Sequence, residues 1–168
     1  MKVYLTSKPD DAMVVLVTQD ENGVIKVATS KDCCCGDKVH IVYSWEGTGM
    51  RDLDTATTFL DATVGWSCGS NNQYIEWGGD NTQSDQSETV DVDVLKARAD
   101  NLWSGSVQIL LAAGWYKPAQ GSGPATVRVT YKNVTKTKTI SPGTQSTCAS
   151  GSPVGYIVVH GDGTFDLE

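Results

Sequence analysis

Ten carboxylates lie between Glu46 and Val94, with Arg51 as the only base among them. They are Glu46, Asp52, Asp54, Asp61, Glu76, Asp80, Asp85, Glu88, Asp91 and Asp93. So much like charge in one segment is repulsive unless the carboxylates are spread apart or share a cation. Calcium suits them, because it takes about six to eight oxygens from carboxylates, amides and backbone carbonyls in flexible loops. Three clusters have that composition. Asp52 and Asp54 flank Leu53, so in an extended stretch both carboxylates point one way and Leu53 the other. Gly78-Gly79-Asp80-Asn81 sets two oxygen donors after two glycines that permit unusual backbone angles. Ser84-Asp85-Gln86-Ser87-Glu88 is an acidic loop opening a strand. The chain has no EF-hand loop, so a calcium site must be assembled from several loops. Residue types alone leave a second reading open, a solvated acidic rim in which Asp and Asn serve turns.

Other chemistry is thinly represented. His40 falls mid-strand, out of phase with Val39 and Ile41, and is expected at the surface; His160 ends a strand. There is no Gly-Lys-Ser/Thr phosphate cradle and no dinucleotide fingerprint. Asp91 and Asp93 could form a glycosidase pair, but an outward strand face explains them more simply. A non-enzyme is expected. The five cysteines include the run Cys33-Cys34-Cys35, an odd set that does not read as a disulfide framework. Zinc at Cys33, Cys35, Cys68 and Cys148 would lack the usual paired spacing, so reduced thiols are expected. Among the aromatics, Trp45 and Trp115 are expected in the core. Trp66, Tyr74 and Trp77 surround a polar loop and are candidates for glycan stacking or a protein interface.

The elements that must position these groups are strands. Alternation predicts an N-terminal meander within residues 1–32 and a core sandwich over 36–140. A Gly/Ser/Pro-rich connection over 141–153 and a C-terminal strand within 154–168 complete a single domain of 168 residues. Thr55–Trp66 reads as one strand, Val107–Trp115 as a central strand buried on both faces, and Leu95–Leu102 as the one short helix. The fold class is therefore all-β, a mainly antiparallel, jelly-roll-like sandwich. A net charge of −7 argues against nucleic acid as a partner. No apolar run approaches the roughly 20 residues that span a bilayer. Met1–Ser7 lacks the apolar stretch of a signal peptide, so synthesis in a cytoplasm is expected.

Val39–Trp45, then Gly47-Thr48-Gly49-Met50-Arg51-Asp52-Leu53-Asp54 and Phe59-Leu60, resembles the start of a TerD-type tellurite-resistance and stress domain. The likeness continues through Gly79-Asp80-Asn81 and through Glu88 ahead of Val90-Asp91-Val92-Asp93, and covers roughly residues 36–132. The resemblance implies a calcium-binding β-sandwich in which Asp52, Asp54, Asp80, Asn81 and Glu88 match ligand positions. The segment Thr82-Gln83-Ser84-Asp85-Gln86-Ser87 is shorter than the family's acidic loop and lacks an Asp-Asp-Glu run. The expected function is a calcium-stabilised structural or binding subunit of a larger assembly. A homo-oligomer with protein partners is expected, most concretely a bacteriophage virion component such as a capsid decoration or tail fibre. A TerD-like stress-response protein and a carbohydrate-binding module are the alternatives.

Overall fold

The computed structural model describes residues 2–4, 14–19, 25–30, 37–47, 51–83, 86–117, 119, 121–144, 148 and 153–168. The chain divides into two compact units, Met1–Gly36 and Asp37–Glu168. In the first, β1 (Lys2–Tyr4), β2 (Val14–Gln19) and β3 (Ile25–Ser30) form an antiparallel meander in chain order. The Cys33-Cys34-Cys35 run, and with it the zinc reading, lies outside the described residues.

The second unit carries two sheets. One is built from β4 (Val39–Ser44), β7 (Ile75–Trp77), β8 (Ser87–Val92), β10 (Ala125–Tyr131) and β11 (Val134–Ile140), in the order β11-β10-β4-β8-β7. The other holds β5 (Asp52–Phe59), β6 (Ala62–Gly65), β9 (Ser106–Tyr116), β13 (Pro153–His160) and β14 (Phe165–Leu167), in the order β14-β13-β9-β5-β6. Along this main path every pairing is antiparallel; β12 (Gly143–Thr144) adds a parallel pair to β9 at Gly114 and Trp115.

Period-two alternation sets the core. Val39, Ile41 and Tyr43 of β4, Val90 and Val92 of β8, and Val127, Val129 and Tyr131 of β10 are all buried. They join one apolar cluster with Leu53, Phe59, Ile109, Leu111, Trp115 and Ile157 of the other sheet. This is face-to-face sandwich packing, and each such side chain contributes roughly 1.5–3 kcal/mol by leaving water. Trp45 and Trp115 are in this core, as their phase predicts.

Three sequence expectations need correction. Thr55–Trp66 is not one strand: Leu60 adopts φ 55°, the chain turns at Asp61, and β5 and β6 form a hairpin. The helix α1 spans Val94–Ala99, capped by the Asp93 side chain accepting from Lys96 N–H. It stops before Asn101, at φ 59°, so Leu102 is exposed and not on a helical face. The 141–153 connection contains β12 and Cys148, and Cys148 is disulfide-bonded to Cys68, which corrects the expectation of reduced thiols there.

Candidate metal centre

Asp52 and Asp54 stand at the start of β5, which β9 holds in place by pairing Asp52 with Tyr116, Leu53 with Trp115 and Asp54 with Gly114. Leu53 and Trp115 are in the core, anchoring the strand. Asp80 comes from the other sheet's β7–β8 connection, where Gly79 takes φ 111°. One carboxylate oxygen from each of Asp52, Asp54 and Asp80 lies within 4.8 Å of the others. The three acids that the Asp-Leu-Asp and Gly-Asp-Asn motifs single out are thus brought together across the two sheets.

Their surroundings oppose negative charge. Asp54 is only 2% exposed. Its Oδ2 and the Oδ1 of Asp52 are buried without a hydrogen-bond partner among the described residues. Burial first, and then the neighbouring Asp52 and Asp80 charges, push the Asp54 carboxyl up to about 7. Burial and Asp80 raise Asp52 as well. Buried carboxylate oxygens with no donor are costly, and a divalent cation supplies what they lack. The donor set, all oxygen, suits a hard cation. This acidic triad could hold a metal ion.

Glu88 is placed differently. Glu88 points inward in phase with Val90 and Val92 and is fully buried. Its Oε2 accepts from the Thr55 hydroxyl and from Trp77 Nε1–H at 3.3 Å, and its Oε1 accepts from Asn81 N–H at 3.4 Å. Burial pushes Glu88 up to about 8, against the lowering effect of those hydrogen bonds. Glu88 therefore ties β5, β7 and the Asp80-Asn81 loop together and is outside the cluster of the three aspartates. The Asn81 amide donates to Ser87 C=O, closing the same loop. On the other side, the Arg51 guanidinium lies 4.7 Å from the Trp115 ring and donates to Glu46 C=O, while Trp45 Nε1–H donates to Arg51 C=O at 2.8 Å.

A pH dependence follows for the metal-free protein. A carboxyl whose folded pKa is raised binds protons more tightly when folded. The stability it confers is complete below about 4 and is lost as pH rises through about 7 for Asp54 and about 8 for Glu88. In the presence of a chelator, the melting temperature at pH 5 is expected to exceed that at pH 8.5. Equal values, or the reverse order, would contradict the burial of these groups.

Each of the three aromatic candidates has its own neighbours. Trp66 packs beside Tyr116, with ring centroids 6.2 Å apart. The Tyr74 hydroxyl donates to Asp100 at 2.8 Å beside helix α1, and Lys96 lies over its ring. Trp77 is committed to Glu88.

Two serine arrangements went unseen at the level of sequence. Ser106 Oγ lies 3.2 Å from His160 Nδ1, and His160 Nε2 lies 3.0 Å from Asp166 Oδ2. The β9–β13 register places Ser106 opposite His160, which no local motif encodes. Lys136 Nζ shares the Asp166 carboxylate at 2.9 Å, and Ser106 and Asp166 are exposed, so the chain reads as a surface network linking four strands. Gly65-Trp66-Ser67-Cys68-Gly69 matches the Gly-x-Ser-x-Gly pattern, and Ser67 adopts φ 54°. A nucleophile elbow leads directly into a helix; here the run leads into turns, and Cys68 is in the disulfide. His40 Nδ1 meets Asp91 Oδ1 at 2.7 Å across β4 and β8 on the outward phase, as expected for a surface histidine.

No protein-family model matches the chain, and no curated protein does. Two solved structures do. The crystal structure of the unknown-function protein SAV2460 aligns over 79% of this chain and 86% of its own, at 14% identity and a TM-score of 0.50. That of a homologue of the telluride resistance protein TerD, SCO6318 from Streptomyces coelicolor A3(2), aligns over 79% and 86% at 11% identity and a TM-score of 0.45. The likeness to SAV2460 is one of fold.

Proposed function

We propose that this chain is a non-catalytic β-sandwich whose two sheets are clamped by calcium at Asp52, Asp54 and Asp80, and that it serves as a structural or binding subunit of a larger assembly. The observation that carries this reading is the pair of buried carboxylate oxygens on Asp52 and Asp54 that have no hydrogen-bond partner among the described residues, in residues that cluster with Asp80 from the opposite sheet. Calcium there would neutralise charges that otherwise repel and would leave the loop ends fixed for docking. Asn81, which follows Asp80 in the same loop, is the next oxygen donor along the chain. The Cys68–Cys148 disulfide supports a final location outside a reducing cytoplasm, and a virion, as capsid decoration or tail fibre, is one such setting. A calcium-binding stress-response role of the TerD type is the second reading, favoured by the convergence of the Asp-Leu-Asp and Gly-Asp-Asn motifs on one point.

Native mass spectrometry of the full chain, with and without calcium, tests both. A calcium-loaded homo-oligomer is the expected result. A monomer carrying two calcium ions would move the assignment to the stress-protein reading, and a metal-free monomer would overturn the proposal.

A further inference from the structure

The outward face of the five-stranded sheet, away from the core, is dominated by small hydroxyl side chains. Register sets them in rows: Thr126 lies between Ser44 and Thr139, Ser44 pairs with Ser87, and Arg128 lies between Val42 and Thr137. A depression of about 440 Å³ opens there, lined by Val42, Ser44, Gln86, Ser87, Thr126, Arg128 and Thr137. A second depression, of about 310 Å³, continues from it across the shared Ser44 and Thr126.

The polar groups in the first depression are uncommitted. Among the described residues, no hydrogen bond or ion pair engages the side chains of Ser44, Gln86, Ser87, Thr126, Arg128 or Thr137. Lys96 pairs with Asp100, Lys136 with Asp166, and Arg98 donates to Gly161 C=O, whereas Arg128, like Lys38 and Lys138, has no ion pair or hydrogen bond among the described residues. In a protein of net charge −7, an exposed guanidinium with no carboxylate partner among the described residues, at the wall of a shallow depression, is available to a ligand. Its planar fork of donors matches an oxyanion. Four hydroxyls and one amide around it can each donate and accept, which is how ring hydroxyls are held. Val42 offers an apolar floor for the C–H face of a small ring.

We propose that this depression binds an anionic monosaccharide, with Arg128 taking the charged group and Ser44, Ser87, Thr126 and Thr137 taking the hydroxyls. The site is separate from the aspartate triad and from the aromatics Trp66, Tyr74 and Trp77, and it does not depend on the assembly reading. The charge on the ligand is an oxyanion, which a sugar acid or a sugar phosphate would equally supply.

The test is NMR titration of the isotope-labelled full chain with sodium glucuronate, glucose 6-phosphate and neutral glucose. The expected result is saturable shifts at Ser44, Ser87, Thr126 and Arg128 with one or both anionic sugars, and none with glucose. Shifts with glucuronate alone assign a planar carboxylate, and shifts with glucose 6-phosphate alone a tetrahedral phosphate. Arg128→Gln is expected to weaken binding about tenfold or more, since hydrogen bonds to a charged group are being removed, while Arg128→Lys recovers part of it. Arg128 is exposed, so the amide spectrum of either variant should otherwise match the parent's. No shifts from either anion at tens of millimolar, equal shifts from glucose, or binding indifferent to Arg128→Gln would each overturn the proposal.

Discussion

Calcium at about 100 times its dissociation constant is expected to raise the melting temperature by about 5–10 °C, and Asp54→Asn is expected to abolish that response. A ligand that binds only the folded state at this excess stabilises it by about 2.7 kcal/mol. For a chain of this size, each kcal/mol moves the midpoint by about 2–4 °C. Asp54 is the right position to change because it is the most buried of the three aspartates and has an oxygen without a partner among the described residues. Asparagine keeps the shape and removes a charge that burial opposes. The metal-free variant should therefore melt at or above the metal-free parent at pH 8, while gaining nothing from calcium. The exposed Asp61 serves as the control, and Asp61→Asn should leave the calcium response intact. Thermal melts with chelator and with calcium, across these three proteins, check the prediction. An unchanged calcium response in Asp54→Asn would remove this residue from the site.

Reduction of Cys68–Cys148 should destabilise the chain by a comparable or larger amount. The bond joins residues 80 positions apart. In the chain-entropy description, a loop of that length confers about 4–5 kcal/mol by restricting the unfolded state, which corresponds to a fall of about 10–15 °C on reduction. The bond also has a local role. Cys68 belongs to the turn after β6, where Trp66 N–H donates to Thr55 C=O and Gly65 lies against β5 so closely that an added Cβ would meet Thr55 O at 2.0 Å. Cys148 follows β12, which pairs with β9 at Gly114, the partner of Asp54. Melting the parent with and without a thiol reductant, beside a Cys68→Ser/Cys148→Ser double variant, isolates the effect. The double variant should melt near the reduced parent and ignore the reductant. A parent midpoint unmoved by reductant would show that the bond does not contribute to stability.

Much of the fold was legible because strands advertise themselves by alternation. Val39, Ile41 and Tyr43 declare one face of β4, and Val90 and Val92 one face of β8. The same rule places Glu88 inward, in phase with Val90, and alternation alone carries that signal. Asp52, Asp54 and Asp80 could be picked out because oxygen donors stood beside a core residue in one case and beside turn-permitting glycines in the other. What alternation cannot convey is which strands meet. Ser106 faces His160 only because β13 pairs with β9 in one register, and Cys68 reaches Cys148 only because both lie beside the β5–β9 pair. The break at Leu60 was hidden for another reason. A leucine in the left-handed region is disfavoured, so composition gives no warning of the turn. The uncommitted arginine on β10 could be placed outward by its phase, but its neighbours Val42 and Thr137 follow from which strands β10 pairs with.

Isothermal titration of calcium into the chelator-stripped full chain tests the central claim most directly. Saturable binding that disappears in Asp54→Asn, with the far-ultraviolet circular dichroism of the two proteins unchanged, is the predicted result. Absence of calcium binding in the parent, or undiminished binding in the variant, would contradict a cation clamp between the two sheets.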